Sequence, residues 1–200
     1  GGIQVAFIQV AVNPVDHPRR RFLKTMMAAG SSLAVPSVLV HAQGQANGAP
    51  RELQFATLDE GLNELTQLTQ AGEPVSLTTW NWAQTLTHCA QSIEFSMAGF
   101  PQPKSALFQS TVGAAAYEVF AWRGRMTHDL AEPIPGAASL DGITDNAVAE
   151  ARLRSAVDAF RQWKGEWQPH FAYGELTQAE YELAHAMHLA NHFSYFRSAS

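Results

Sequence analysis

The 200-residue chain is short of charge, with 16% charged residues, and has a single cysteine, Cys89. Little charge alongside 46% hydrophobic residues excludes an intrinsically disordered chain and leaves room for one ordinary globular domain. One cysteine excludes an internal disulfide framework, so the expected role of Cys89 is that of a small buried apolar side chain. There is no long apolar run. The nearest approach, Met26 to Val40, is interrupted by Gly30, Ser31, Ser32 and Pro36 and falls short of the roughly 20 apolar residues a spanning helix needs. A basic excess is also missing. The net charge is -5, and once the four bases and single acid of residues 1–42 are set aside, 9 bases face 17 acids, a net of -8. Such a body repels phosphate backbones and anionic lipid, which excludes nucleic acid as a partner. No phosphate-cradling glycine loop, nucleophile elbow or HExxH zinc-protease pattern occurs.

What is present begins with Arg19-Arg20-Arg21-Phe22-Leu23-Lys24, just ahead of the interrupted apolar stretch, followed by small residues at Val40-His41-Ala42 where a signal peptidase reads. The segment resembles a twin-arginine export signal, with Arg19 and Arg20 as the pair and Phe22, Leu23 and Lys24 matching the rest of the pattern; Pro18 stands where Ser or Thr is usual. The resemblance implies recognition by the twin-arginine export machinery, cleavage near Ala42 and a periplasmic or otherwise exported mature chain. Residues 1–12 contain no Met and are read as an overextended start upstream of this signal. Residues 43–52, rich in Gln, Gly, Ala and Asn, read as a flexible leader, and residues 53–197 as a helical domain.

Thr57-Leu58-Asp59-Glu60 has the form of a capping box. Leu58, Leu62, Leu65 and Leu68 follow at helical spacing until Gly72 and Pro74. A second helix starts near Thr79, with Trp82, Leu86, Cys89, Ala90, Ile93 and Met97 on one face. The third, from about Ser105 to Met126, would bury Phe108, Val112, Ala115, Val119, Trp122 and Met126. A loop over Asp129 to Ile143 leads to a fourth helix, capped by Thr144 or Asp145, with Val148, Leu153, Val157, Phe160 and Trp163 on its core face. An aromatic loop, Lys164 to Leu176, precedes a last helix that begins with a capping box at Thr177 and Glu180 and runs to about Arg197. No segment alternates as a strand does. Capped helices with short links predict an all-α chain, an antiparallel four-helix bundle.

Six histidines follow Ala42, and three of them, His185, His188 and His192, share the last helix. With Tyr181 at zero they fall at about 40°, 340° and 20° on the helical wheel, forming one stripe. Spacings of three and four bring imidazoles within reach of one ion. His185 and His192 are roughly 10.5 Å apart along the axis, too far to share a metal whose bonds to nitrogen are about 2.1 Å. The helix therefore offers one pair, which includes His188, and a metal needs a third ligand from elsewhere. Spacing alone leaves two readings open, metal binding and a hydrogen-bonded polar stripe. On the second helix the apolar face centres on Leu86, Ala90 and Ile93 and leaves His88 about 200° away. That sends His88 to solvent unless a second face lines a cleft, flanked by Ser92 and Phe95.

Three stretches carry a wider resemblance. Asn81-Trp82-Ala83-Gln84-Thr85-Leu86-Thr87-His88, with Ile93-Glu94-Phe95-Ser96 and Gly99-Phe100-Pro101, forms one; His170-Phe171-Ala172-Tyr173-Gly174-Glu175-Leu176-Thr177 the second; His188-Leu189-Ala190-Asn191-His192 the third. Together they resemble the family called domain of unknown function (DUF) 1569, within the DinB-like superfamily of metal-binding four-helix bundles, over roughly Leu53 to Phe196. Phe171 replaces the proline usual in the second stretch. The resemblance implies a metal held by His88, His188 and His192. His185, His170 and Tyr181 are then expected behind the ligands or at the mouth of the site, His128 at a solvated helix end and Glu94 on the surface.

Three neutral imidazoles suit a divalent transition metal, Zn, Ni, Fe or Cu, better than Mg or Ca. Three protein ligands leave a position open for water or substrate, and activated water is hydrolytic chemistry. The leading expectation is therefore a periplasmic metal-dependent enzyme of hydrolase type acting on a small molecule. The other readings are a non-enzymatic metal or small-ligand binding bundle, a helical module with structural histidines and, by resemblance to part of the superfamily, a thiol-dependent transferase. No residue stands out as a general base, and nothing in the sequence bars a homodimer.

Overall fold

The computed structural model describes residues 49–199. The twin-arginine segment with Arg19, Arg20, Phe22, Leu23 and Lys24, the cleavage position at Ala42 and most of the leader lie outside the described residues. The described chain is mostly helical. Helix α1 spans Leu58–Gln70, α2 Trp82–Ala98, α3 Ala106–Phe108, α4 Ala114–Arg123, α5 Asn146–Gln162 and α6 Gln178–Phe193, with a π-helical turn at Gln109–Gly113 joining α3 to α4. None of these helices is long and apolar enough to cross a membrane.

Capping chemistry decides where the main helices begin. Thr57 and Glu60 form the expected capping box at α1, and Thr177 and Glu180 form another at α6. Asn81 and Gln84 form a third at α2, and the Asp145 carboxylate accepts from the Val148 amide at the start of α5. Each side chain satisfies backbone N–H groups that a helix start leaves free, worth about 1 kcal/mol. Helix α2 packs against α5 and α6, and α1 against α6. The core between them contains Leu58, Leu65, Trp82, Leu86, Ile93, Leu153, Val157, Phe160, Leu189 and Phe193. Burying each of the larger of these side chains contributes about 1.5–3 kcal/mol. Cys89 is among them, as a buried free thiol.

Three expectations are corrected. The last helix ends at Phe193 rather than near Arg197, because Phe196–Arg197 (β2) pairs antiparallel with Val75–Ser76 (β1), Ser76 opposite Phe196. Phe196 thereby turns inward onto Trp82, with ring centroids 4.7 Å apart. In the third helical region, Val112, Val119 and Trp122 are exposed, Trp122 by 84%, whereas Gly113 and Tyr117 are buried. The π turn accounts for this. It inserts one residue and rotates everything after it by about 100° relative to an unbroken α-helix, so the inward face moves from Val112 to Gly113. A β-carbon on Gly113 would stand 1.8 Å from the Ala172 carbonyl oxygen, and glycine is what allows the turn to approach the 170–174 loop. On α5, Val148 is likewise exposed, and the neighbouring Ala149 takes the core-facing place one turn before Leu153.

Candidate metal centre

His88 stands on α2, a helix whose second face is also buried. Asn81, Gln84, His88 and Gln91 share that face at spacings of three and four. The three amides cover it with the loop that leads to α5. Asn81 Nδ2 donates to the Ile143 carbonyl at 3.0 Å, Gln84 Nε2 to that of Leu140 at 3.1 Å and Gln91 Nε2 to that of Ala138 at 3.1 Å. A loop whose carbonyls are satisfied this way can lie over a polar helix face. His88 is consequently only 3% exposed, and the face is inward, as the cleft reading required.

His188 and His192 lie one turn apart on α6, with 9% and 2% exposure. His88 Nε2 is 3.1 Å from His188 Nε2, which is 3.1 Å from His192 Nε2. Ligand nitrogens from the three residues all lie within 4.8 Å of one another, a group able to hold a metal ion. The Trp80 ring flanks it, 4.9 Å from His88 and stacked 6.0 Å from His192.

The chemistry of this donor set fits a cation. In a neutral imidazole each ring nitrogen carries either one hydrogen or one in-plane lone pair. Three such nitrogens meeting at one point cannot all pair with each other, and a buried polar atom left over costs about 1–3 kcal/mol. A metal accepts all three lone pairs, and nitrogens about 2.1 Å from one ion at tetrahedral angles stand roughly 3.4 Å apart, close to the spacing observed. Protonation is also held off. Burial, then the neighbouring His128 imidazole, lowers His88 to about 3. Burial together with the surrounding imidazoles holds His188 and His192 well below 6.5. All three are neutral at pH 7, as ligation requires.

A cavity of about 220 Å³ adjoins this group, lined by His88 and His188 and also by His170, Tyr173, His185 and Ser92. Exposed Lys104 and Glu132 mark its solvent side. His170 is buried in the 170–174 loop, where His170 and Gly174 exchange both backbone hydrogen bonds. Its Nδ1 accepts from the Ala172 and Tyr173 amides at 3.2 and 3.1 Å. In the neutral ring the hydrogen is therefore on Nε2, and no lone pair remains for a metal. Burial, then His185, lowers His170 to about 3. His185, lowered to about 3 by burial, stacks on Tyr181 at 5.4 Å, and its Nε2 has no partner. Tyr181 is fully buried and donates its hydroxyl to the Gln168 carbonyl. His170 and His185 thus both line the cavity, and Tyr181 packs on the ring of His185.

Two residues differ from their sequence reading. Glu94 is not a lone surface charge, since its carboxylate takes two hydrogen bonds from Arg152 at 2.9 and 2.7 Å and ties α2 to α5. His128, expected at a solvated helix end, is exposed but lies beyond the end of α4 at Arg123, with its ring 5.0 Å from those of both His188 and His192. It sits in a loop, where no helical periodicity relates it to the others; its one sequence signal was the neighbouring Asp129.

A family model described as "Protein of unknown function (DUF1569)" matches residues 47–199. No curated protein and no solved structure matches the chain.

Proposed function

The chain belongs to the DUF1569 family, and from that premise and the three-histidine centre we propose that it is a metal-dependent enzyme of hydrolase type acting on a small molecule. The observation that carries this reading is the meeting of His88, His188 and His192 through Nε2 atoms, beside a cavity of molecular size. His88, His188 and His192 would hold a divalent transition metal, which would supply the Lewis acidity that hydrolysis of an ester, lactone or amide needs.

The chain's own residues do the rest. Trp80 shields one side of the ligands from water. His170, whose hydrogen is on Nε2, offers a donor from the cavity wall to a substrate oxygen. Lys104 and Glu132 give the entrance one charge of each sign, which favours a polar or zwitterionic substrate end over a wholly apolar one. In this reading α1, α2, α5 and α6 form a DinB-like four-helix bundle, and the chain reaches the periplasm through its twin-arginine segment. Cys89 supplies no thiol chemistry, because burial pushes its pKa up and keeps it from solvent.

The test is turnover of ester, lactone and amide panels by the metal-loaded protein and by His188→Ala. Activity present in the first and lost in the second supports the enzyme. A protein that holds the ion and turns over none of the panels is a binding bundle instead.

A further inference from the structure

We propose that the cavity is a compartment for a small apolar acyl group, one ring or a short branched chain, and that Ile134 sets the largest group it admits. The inference rests on the hydrolase reading above for the reaction and names its substrate class; the compartment itself needs no ion.

The carrying observation is how rigidly the wall around Ile134 is built. Pro133, Ile134 and Pro135 line the cavity, and Ile134 is 5% exposed. A proline has no N–H, so the two prolines bring to the wall no amide donor that would have to be satisfied there. Each also fixes its own φ, and Pro135 restricts Ile134 before it to extended backbone. A tight turn follows. The Ala137 amide donates to the Ile134 carbonyl at 2.9 Å, and Gly136 takes the left-handed φ of 77° that the third residue of such a turn requires. The turn lies close against its neighbours, since a β-carbon on Gly136 would stand 2.9 Å from that of Pro101. Gln91, one turn after His88 on α2, holds the next carbonyl, that of Ala138, at 3.1 Å. Ile134 is therefore fixed in the wall by covalent geometry on both sides and by a tie to the helix that carries His88.

The rest of the lining divides by polarity. Met126 and Phe171 extend the apolar wall, whereas His88, His188 and Ser92 present a polar side. His170 adds an Nε2–H donor, because its Nδ1 is engaged by backbone amides. A carbonyl oxygen can accept from that donor and from the Ser92 hydroxyl, and the apolar body attached to it has Met126, Ile134 and Phe171 to rest on. Volume then limits the body. A cavity of about 220 Å³ exceeds the roughly 150 Å³ of an apolar cavity that admits benzene and falls short of the roughly 300 Å³ at which sites for drug-sized ligands begin. One ring with its carbonyl substituent fits and two fused rings do not, while any polar tail stays at the entrance with Lys104 and Glu132.

The probes are benzamide and 2-naphthamide, neutral carbonyl compounds that differ by one ring. They are titrated calorimetrically into the chelator-treated full chain as wild type, Ile134→Ala, Ile134→Val and Val148→Ala, the last an exposed residue on α5; transition-metal uptake by the same preparations is measured in parallel. Wild type is expected to bind benzamide at least about tenfold more tightly than 2-naphthamide, as for a group that exceeds an apolar pocket by more than one methylene. Ile134→Ala should reverse the preference, Ile134→Val should narrow it and Val148→Ala should leave it unchanged. Equal affinity for the two amides in wild type, binding of neither, or an unchanged preference in whichever Ile134 variant stays folded would overturn the compartment. Wild type that shows the size limit but takes up no metal would keep the compartment and overturn the hydrolase reading, whereas wild type that takes up metal and binds neither amide would do the reverse.

Discussion

Two sets of histidines stand at or beside one cavity, which His88, His188, His170 and His185 line, and they differ in what their nitrogens meet. His88, His188 and His192 turn Nε2 atoms toward each other at 3.1 Å. His170 spends its Nδ1 on two backbone amides, and His185 lies face to face with Tyr181. All five are buried and lowered well below an ordinary histidine, so burial and charge state do not separate them. His185 and His188 are one turn apart on the same helix face, so spacing does not either. The partner of each ring nitrogen does. The Nδ1 of His170 is engaged by backbone and the Nε2 of His185 stands alone, whereas nitrogens that converge on one another are available to a cation.

The largest expected effect breaks this comparison at one residue. His188→Ala should abolish stoichiometric metal binding, whereas His185→Ala should leave it within about tenfold of wild type, as for a change outside the direct ligands. Metal content after dialysis checks both, and the reverse order would mean that the pairing on α6 is wrong.

A second effect is shared by the two sets. In the apoprotein the folded-state pKa values of His88, His170 and His185 are about 3, against 6.5 unfolded. The unfolded chain therefore binds more protons below pH 6.5. The stability these neutral rings contribute is complete above that pH and is lost as pH falls from 6.5 toward 3. Each such histidine steepens the loss by about 1.4 kcal/mol per pH unit. Urea unfolding at pH 7 and pH 5 should show it, and His185→Leu should flatten the slope by one histidine's share.

Gly113→Ala should disturb one set and spare the other. Its β-carbon meets the Ala172 carbonyl oxygen, in the loop that carries His170, and the strain should cost about 1–3 kcal/mol. Metal affinity should hardly change. The smallest effect belongs to Glu94→Gln, which weakens the half-exposed pair with Arg152 and should cost no more than about 1 kcal/mol in thermal or urea unfolding.

Much of the helical layout was legible because it rests on local chemistry. The boxes at Thr57 and Thr177, the Asp145 cap and the leucine spacing of α1 all act within a few residues of chain. What was not legible depends on distant partners. The end of α6 is set by β1, some 120 residues earlier in the chain. The inward face of α4 is set by a π turn that answers the 170–174 loop, and no amphipathic pattern encodes an inserted residue. His88 looked solvent-directed on the wheel because its face is polar. Asn81, Gln84 and Gln91 were the signal that a loop would cover it, since amides at spacings of three and four can satisfy a stretch of backbone. The pairing of His88 with His188 and His192 came from family resemblance, and the packing of His128 against His188 and His192 was not legible because proximity through a loop has no period.

The central claim is that α2 and α6 grip one ion through His88, His188 and His192, and metal analysis of protein purified without a histidine tag tests it most directly. About one equivalent of a transition metal in wild type, absent from His88→Ala while that variant stays folded, is the expected result for a site that needs both helices. Less than about a tenth of an equivalent in wild type, or a full equivalent retained by folded His88→Ala, would contradict it.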